Sequence, residues 1–300
     1  MTRSRRAFVA AFALLSFAAT FCWAGAADAA TRSKPKYRLA YKFRMGEVLR
    51  YRVEQATSVR TTIDSKTQEA ETLSESTKAW KVTDVLPNGE MEFVHLVEAV
   101  RMTNHSPGVA SHTYDSEKDP TPPPGFEQVA GAVNTPISVI RISPTGKIVH
   151  REEKHPQPPV TDDMPITLEL PAEPVAVGGR WSRTYDVMAE RKGGAKIKVR
   201  TRRTCKLRSV TDGVATIEVE YHILTPVDPF VRSQLVERLT SGKVLFDIET
   251  GRIVEQDHRV DSRVLGFAGQ TSVMRFASRF EERLVETAGA VTAASHTTKK

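Results

Sequence analysis

The amino-acid sequence predicts a mainly β protein built from two tandem repeats, each a strongly bent antiparallel sheet with one covering helix. Three observations lead to this fold class. Apolar and polar residues alternate along many stretches, as they do in strands with one buried and one solvated face. The dipeptides Asn-Gly and Asp-Gly, which favour turns, separate pairs of these stretches. The same elements then recur in the same order in the second half of the chain.

The chain begins with a predicted signal peptide, residues 1–29. Three arginines precede an uncharged apolar stretch, 7–23, and small residues follow it. This order is typical of a secretory signal. We predict cleavage after Ala29, with Ala26 as the alternative, and therefore an exported protein of the periplasm or cell envelope.

The export route stays open between two possibilities. Arg5 and Arg6, followed by Phe8, resemble a twin-arginine motif, and the general secretory route fits the same segment. After cleavage, no later stretch is long and apolar enough to span a bilayer.

Charge and cysteine content limit the disulfides, metal sites and partners that the protein can have. The chain has 43 Lys and Arg and 36 Asp and Glu, and its net charge of +7 falls to +5 once residues 1–29 leave. Of two cysteines, Cys22 leaves with the signal and Cys205 remains. The mature chain therefore has no intramolecular disulfide and no cysteine-rich metal site. We expect no cofactor and no nucleic-acid partner.

The internal duplication is clearest in two pairs of hairpins. Residues 81–95 turn at Asn88-Gly89, and residues 206–221 turn at Asp212-Gly213. Because Asn, Asp and Gly accept positive φ, these dipeptides favour tight connections between strands. A second hairpin follows in each half, with Ile, a short turn ending in Thr-Gly, a basic residue and Ile-Val. These second hairpins occupy residues 137–149 and 244–254.

Each half also opens with a Tyr-x-Val strand, at Tyr51 and Tyr185, and carries a helix between its hairpins. In the second half, this helix is predicted from an N-cap at Asp228 to the residues just before 241–242. Its apolar face would hold Val231, Leu235 and Leu239. The matching stretch 125–133 predicts a shorter helix.

The domain organisation follows from these elements. It comprises a signal peptide (1–29), a first β-rich repeat (30–156), a Pro-rich linker (157–175), a second β-rich repeat (176–287) and a disordered tail (288–300). Alternation near the N-terminus places five residues on one strand face: Tyr37, Leu39, Tyr41, Phe43 and Met45. In the last strand the alternating residues are Met274, Phe276, Phe280 and Leu284. The two repeats could form separate domains or share one continuous core.

The linker carries a family resemblance. Residues 171–181, which read Pro-Ala-Glu-Pro-Val-Ala-Val-Gly-Gly-Arg-Trp, resemble an element of exported bacterial β-repeat proteins of unknown function. That resemblance would cover roughly residues 37–286. The plan of tandem sheets with covering helices is also loosely similar to the lipoprotein-carrier half-barrels of the bacterial envelope, without a shared motif. The carrier likeness implies an apolar concave sheet that shelters a lipid or acyl chain, and neither resemblance implies a catalytic residue.

Aromatic residues are the candidates for lining such a concave sheet. Together with one inward histidine, the candidate ligand-binding residues are Tyr51, Trp80, Phe93, His95, Trp181, Tyr185 and Tyr221. The alternative interpretation makes the aromatic residues ordinary core and His95 a core histidine with one hydrogen-bond partner.

A second candidate surface is the basic face of a strand over residues 196–208. Its members are Lys196, Lys198, Arg200, Arg202, Lys206 and Arg208. Pairing through the turn at 212–213 places Lys206 opposite Glu218 and Thr204 opposite Glu220, which compensates part of the charge. The face could bind anionic lipid headgroups or another polyanion. Alternatively, it is a solvated face balanced by acids elsewhere.

No residues are predicted to be catalytic or to bind metal. Cys205 lies on the buried face of the same strand, which is typical of an inert core thiol. His150, Glu152, Glu153 and His155, with Asp162 and Asp163 beyond, offer zinc-binding groups, but His150 and His155 would face opposite sides of a strand. No nucleophile elbow, phosphate loop or dinucleotide fingerprint occurs in the sequence.

The favoured function is therefore an exported, non-catalytic envelope protein that binds an apolar or amphipathic ligand on a concave sheet. The alternative is a structural or interaction protein that holds an anionic polymer, a membrane surface or a protein partner through the basic strand face. A third hypothesis is an exported hydrolase that uses the polar residues 150–163.

Overall fold

The computed structural model describes residues 34–156 and 166–288. The predicted signal peptide, the centre of the linker with Asp162 and Asp163, and nearly all of the predicted tail lie outside the described residues. The mainly β, antiparallel fold class is confirmed. No helix in the described ranges is long and apolar enough to cross a membrane.

The first half contains seven strands and one helix. They are β1 (Lys36–Tyr37), β2 (Val48–Ile63), β3 (Lys66–Val85), β4 (Met91–His105), β5 (His112–Asp115), α1 (Glu127–Ala132), β6 (Ser138–Ile142) and β7 (Ile148–Glu153).

The second half has a similar order. It contains β8 (Val175–Ala176), β9 (Arg180–Glu190), β10 (Lys196–Thr211), β11 (Val214–Ile223), α2 (Pro229–Leu235), a 3-10 turn (Val236–Arg238), β12 (Ser241–Asp247), β13 (Arg252–Leu265) and β14 (Val273–Ala288). Both halves thus run through long antiparallel strands, a short helix and a hairpin. The duplication itself, and the repeat boundaries, stay predictions from the sequence.

One large antiparallel sheet contains nearly all of these strands. Its order is β7-β6-β4-β3-β2-β14-β13-β12-β11-β10-β9, with β5 added beside β4, while β1 and β8 form a separate pair. The centre of the sheet is the pairing of β2 with β14, which extends from Val48 to Thr62 on β2. The first and last long strands therefore join the two halves into one sheet, with β7 and β9 as its edges.

The predicted hairpins are present, with one difference in turn geometry. Asp212 and Gly213 both have positive φ, 50° and 79°, and directly connect β10 to β11. Only Gly89 of the Asn88-Gly89 pair has positive φ, and five residues separate β3 from β4. Within this longer connection, the backbone N–H of Leu86 donates a hydrogen bond of 2.8 Å to the carbonyl oxygen of Glu90.

The N-terminal segment 37–45 is not part of the large sheet beyond the two residues of β1. It crosses the core instead, with Leu39, Tyr41 and Phe43 at most 5% exposed. The predicted alternation therefore describes their burial correctly, but Met45 is 74% exposed because the chain turns away there towards β2.

One hydrophobic cluster draws on both halves of the chain. It packs Trp80 and Ile140 of the first half with Leu207 and Phe246 of the second around the segment 39–43. Strands near opposite ends of the sheet meet in this cluster, so the sheet must bend around the segment. The halves share a continuous core, which the sequence had left open.

The two helices cover smaller clusters. Asp228 caps α2 by accepting a hydrogen bond of 3.0 Å from the backbone N–H of Val231, as predicted. The helix ends at Leu235 and continues as a 3-10 turn, so it is shorter than predicted and Leu239 lies beyond it. Helix α2 packs on β9 and β10, and α1 packs on β4 and β5.

Candidate functional site

The pleat of the strands assigns each residue to one of two faces of the sheet. We call the face that carries Tyr51, Trp80 and Cys205 the core face, because these residues lie in the main hydrophobic cluster. The opposite face is the outer face. Directly paired residues on neighbouring strands share a face, so the register of the sheet extends this assignment from strand to strand.

The predicted ligand-binding aromatic residues all lie on the core face, in two groups. Tyr51, Trp80 and Phe93 are at most 1% exposed, and the Trp80 and Phe93 rings stack at 4.7 Å. Tyr185 and Tyr221 are half-buried, with ring centroids 5.8 Å apart. The first group thus fills the core, and the second lies closer to solvent.

Trp181 and His95 complete the predicted set. The Trp181 indole, half-buried, donates a hydrogen bond of 2.9 Å to the carbonyl oxygen of Glu169. Burial, and then the charges of Lys78 and Arg151, lower the pKa of His95 to about 3. The imidazole is therefore neutral at physiological pH.

Each aromatic group has a cation over it. The ammonium of Lys78 lies 4.8 Å from the Tyr51 ring centre and 4.7 Å from that of Trp80. In the second half, the Arg203 guanidinium lies 5.2 Å from the ring of Tyr221. Both cations lie on the core face of the sheet. Cation–π contact offsets part of the cost of burying them.

A polar network connects these groups across the core face. Glu282, almost completely buried, forms an ion pair with Lys78 and accepts a hydrogen bond of 2.9 Å from Gln256. A ring nitrogen of His258 lies 3.1 Å from the Gln256 side-chain oxygen. Burial, then the charge of Arg203, lowers the pKa of His258 to about 4. The sequence offered no signal for this network, because its strands are distant in the chain.

Cys205 is buried in the main cluster, where the alternation had placed it. Burial is the largest influence on the thiol and raises its pKa to about 12. Since the thiolate is the reactive form, this side chain is a poor nucleophile in the folded protein.

The basic strand face lies on the outer face of β10. Lys206 pairs with Glu218 and Thr204 with Glu220, which confirms the predicted register. Strand β9 adds two acids, Glu190 opposite Lys196 and Asp186 opposite Arg200, and one further base, Arg180 opposite Lys206. Arg200 contacts Asp186 at 3.6 Å and Arg208 contacts Glu218 at 2.8 Å. The excess of basic over acidic residues around this face is therefore smaller than the sequence of β10 alone indicates.

The polar residues near 150 do not assemble a metal centre within the described ranges. His150 and Glu152 lie on β7, and Glu152 pairs with Lys154 at 2.5 Å. No group of three or more His, Cys, Asp or Glu side chains in the described ranges has the geometry to hold a metal ion.

A groove of about 1100 Å³ crosses five strands on the outer face. Two rows of side chains form its walls, and each row runs directly from strand to strand. The first wall is Arg259, Arg279, Ala56, Leu73 and Thr103; the second is Asp261, Ala277, Ser58, Glu71 and His105. Between them lie Val260, Ser278, Thr57 and Thr72, whose side chains alternate to the core face. The groove therefore runs across the strands along the centre of the sheet.

Both ends of the groove have distinct chemistry. Arg232 and Leu239, from α2 and the segment after it, close the end beside β13. At the same end, Arg259 contacts Asp257 at 2.7 Å and Arg279 forms an ion pair with Glu281. Arg232 has no ion-pair partner among the described residues. The other half is uncharged along the first wall, where Leu73 is 50% exposed beside Ala56.

No pattern in the sequence predicted this groove. Its walls combine a segment near 259–279 with a segment near 56–73, and the two are about 200 residues apart in the chain. Only the pairing of β2 with β14 brings them together. None of the predicted aromatic or basic residues lines it.

Comparisons with known proteins give remote similarities. No protein-family model matches the sequence, and no curated protein matches it. The chain is similar to a solved structure described by its lipid–protein interactions in lipovitellin, with 13% identity and a TM-score of 0.45. That match covers 84% of this chain and 26% of the other, so the chain spans about a quarter of the length of that structure.

A second similarity is to the crystal structure of a DUF1329 family protein from Desulfovibrio piger. The identity is 12% and the TM-score is 0.15, over 83% of this chain and 87% of the other. At these TM-scores, neither similarity assigns this chain to a fold family or to a function.

Proposed function

We propose that this chain is an exported, non-catalytic protein that binds an amphipathic ligand in the groove on the outer face of its sheet. The single observation that carries this proposal is the groove itself, a cavity with one arginine-rich end and one apolar stretch. The signal-peptide pattern in residues 1–29 supports export.

The size of the groove suits a small amphiphile. Ligand pockets are commonly about 300–1000 Å³, and this groove has about 1100 Å³. The side chains between the two walls point to the core face, so the floor is strand backbone and a chain-like ligand can lie across the strands. Neighbouring strands are about 4.8 Å apart, so Arg259 and Leu73, three strands apart, are separated by roughly 14 Å.

The order of side chains in the first wall sets the orientation of the ligand. Arg259 and Arg279 are direct neighbours, and Ala56 and Leu73 follow on the next two strands. Each guanidinium has five N–H donors, so an arginine already paired with one carboxylate can still donate to an acidic head group. The head group of the ligand would bind at the arginines, and its apolar part would cover Ala56 and Leu73.

This proposal moves the ligand away from the predicted aromatic residues. Tyr51, Trp80 and Phe93 pack against other core residues, and they lie on the opposite face of the sheet from the groove. A ligand could reach them only if the core opened, whereas the groove is open in the folded protein.

Ala277→Phe tests the proposal in solution. This substitution places a ring in the second wall of the groove, and the matched control, Thr184→Phe, places the same ring on an exposed outer-face position of β9. Displacement of a fluorescent fatty-acid probe would measure affinity. We expect Ala277→Phe to weaken binding roughly tenfold or more, because overfilled sites are costly, and Thr184→Phe to leave it unchanged. Equal affinity in both variants would place the ligand elsewhere.

Native mass spectrometry of the protein purified from its own source gives the second test. A discrete extra mass that organic solvent extracts, and that Ala277→Phe loses, would support the proposal. A bare polypeptide mass, together with no binding of the probe, would reject it.

A second candidate function uses the basic strand face. Four of its six side chains, Lys196, Lys198, Arg202 and Lys206, have no ion-pair partner among the described residues, and this favours contact with a polyanion. Salt-sensitive retention on an anionic polymer, lost in a Lys198→Glu, Arg202→Glu variant and kept in Ala277→Phe, would support this candidate over the groove.

A further inference from the structure

The strand directions place four hairpin connections at one edge of the sheet. Strands β2, β4, β9 and β13 run towards this edge, and their partners run back from it. The connections are residues 64–65, 106–111, 191–195 and 266–272. We call this row of strand ends the tip edge; it differs from the edge strands β7 and β9. The Thr-Gly turns and the main hydrophobic cluster lie at the opposite edge.

Three of the four connections present an exposed aliphatic side chain. Ile63 is 39% exposed beside the first connection, Val109 is 57% exposed in the second, and Leu265 is 58% exposed beside the fourth. Exposed aliphatic residues are ordinary when scattered, but their recurrence at successive tips of one edge is typical of an interaction surface.

The remaining connection is basic. The β9–β10 hairpin carries Arg191 and Lys192 in its turn and Lys196 at the start of β10, all exposed, with Glu190 as the single acid beside them. Asp64 in the first connection and Asp228 at the N-cap of α2 also lie near this edge, and Lys66 follows Asp64 at the start of β3. Within the four connections themselves the basic residues are Arg191 and Lys192, on the β9–β10 hairpin, which β11 and β12 separate from the 266–272 connection.

We propose that the tip edge docks on an anionic lipid surface. Aliphatic tips can enter the boundary between head groups and acyl chains, while lysine and arginine side chains contact the acidic head groups. The combination favours a bilayer over a soluble polyanion, because a polyanion would leave the three aliphatic side chains in water. This surface shares Lys196 with the basic strand face of β10, whose other five members lie further along the strand, away from the connection.

The groove on the outer face extends to the tip edge. His105 and Ser111, at the two ends of the β4–β5 connection, belong to the residues that line the groove. One end of the groove thus approaches the tip edge, and an amphiphile could pass between the bilayer and the groove. That consequence rests on the proposed function, whereas docking itself does not.

Vesicle sedimentation tests docking with the full chain. Vesicles of phosphatidylcholine containing phosphatidylglycerol are compared with phosphatidylcholine alone at about 0.1 M salt, where charges still act over about 10 Å. Two tip-edge variants are used, Val109→Ser with Leu265→Ser, and Lys192→Glu. The matched controls at the opposite edge are Val85→Ser, 38% exposed, and Lys147→Glu, also exposed. Equal urea midpoints would show that all variants are folded.

We expect the wild type to bind the anionic vesicles in preference. The double serine variant should lower partitioning about tenfold because it removes apolar groups that enter the bilayer. Lys192→Glu should lower it at least about fivefold, on anionic vesicles alone. Both controls should bind like the wild type.

Three results would overturn docking: no preference for anionic vesicles, an equal loss in the opposite-edge controls, or a loss confined to Lys198→Glu, Arg202→Glu. Ala277→Phe separates this inference from the proposed function. If Ala277→Phe no longer binds the fatty-acid probe but still sediments with vesicles, the groove and the tip edge act independently. If the wild type sediments with vesicles but does not bind the probe, the proposed groove is rejected and docking is kept.

Discussion

The backbone N–H of Lys42 donates a hydrogen bond of 3.1 Å to the carbonyl oxygen of Gly251, and the two residues are in such close contact that a methyl group on Gly251 would lie 2.6 Å from the Lys42 nitrogen. The other Thr-Gly turn makes the equivalent contact one residue earlier. The N–H of Tyr41 donates to the carbonyl oxygen of Pro144 at 2.8 Å, and a Cβ on Gly146 would lie 2.4 Å from the Tyr41 ring. The two turns thus hold the same buried segment from both sides.

This contact predicts that Gly146 and Gly251 are far more sensitive to substitution than a turn glycine with open space. Both have positive φ, 79° and 65°, as does the control Gly213, where an added methyl group would have nothing within 4 Å. Gly213→Ala should cost about 1 kcal/mol from backbone strain. Gly146→Ala and Gly251→Ala should each cost about 3 kcal/mol, because overpacking adds to the strain. Urea unfolding measures all three, and equal costs would contradict the close contact.

The buried ion pair between Glu47 and Arg252 connects the two halves and predicts strong coupling. Their side chains are 9% and 8% exposed, and the contact is 2.5 Å. Arg252→Met leaves an unpaired buried carboxylate and should destabilise the protein by about 3 kcal/mol. The double variant Glu47→Leu, Arg252→Met should recover part of that loss, because no buried charge remains. A double-mutant cycle in urea checks this, and additive losses would show that the pair is not coupled.

The buried histidines predict a loss of stability in mild acid. Burial lowers the pKa of His258 to about 4 and that of His95 to about 3. In the unfolded chain an imidazole takes up its proton near a pH of about 6.5, so the unfolded state binds more protons than the folded state below that pH. Their contribution to stability is thus fully present above a pH of about 6.5 and is lost as the pH falls towards the folded-state values.

His258→Gln isolates one of these histidines. Between about pH 4.5 and 6, each buried neutral histidine adds up to about 1.4 kcal/mol per pH unit to the slope of the unfolding free energy. Replacing His258 should therefore lower the slope of the unfolding free energy against pH by up to about 1.4 kcal/mol per pH unit. An unchanged slope, measured by urea unfolding across this range, would show that His258 is accessible to protons in the folded protein.

The buried thiol of Cys205 predicts slow reaction with thiol reagents. A Cys22→Ser variant leaves Cys205 as the one thiol of the full chain. Because burial raises its pKa to about 12, little thiolate exists at about pH 8 and the reagent cannot reach it. We expect labelling by an aromatic disulfide reagent to follow the urea unfolding curve. Rapid labelling without denaturant would contradict the buried position.

The signal-peptide pattern predicts the mature N-terminus. Expressed in a bacterium with a functional export system, the protein should be recovered from the periplasm with residues 1–29 removed and Ala30 first. Intact mass and N-terminal sequencing check this. Lys substitution of Arg5 and Arg6 would separate the routes, since twin-arginine export should be blocked and general secretion should continue. A full-length chain in the cytoplasm would reject export.

Local features could be predicted because they depend on neighbours in the chain. Asp212 and Gly213 form the tight turn whose residue types favour positive φ, Asp228 caps its helix, and Cys205 is buried by simple alternation. The predicted end of α2 lies too late in the chain, because the chain leaves the helix to begin β12 at Ser241, a choice that sheet pairing makes and helix periodicity does not show.

The candidate site could not be predicted, because none of its parts is local. Leu73, Ala56 and Arg279 form one wall, but Arg279 reaches Ala56 only through the pairing of β14 with β2. The basic face of β10 shows the same limit, since Asp186 on β9 compensates a charge that no acid along the strand itself balances.

By itself, the sequence determined most of the long strands, where they turn and which side of them is mainly apolar, because these properties arise from the backbone preferences and alternation of adjacent residues. The tertiary structure alone decided that both Thr-Gly turns hold one buried segment, that the halves share a core, and that a groove forms across β2 and β14. Pairings between strands about 200 residues apart depend on the summed packing of the whole chain, and no local pattern carries that information.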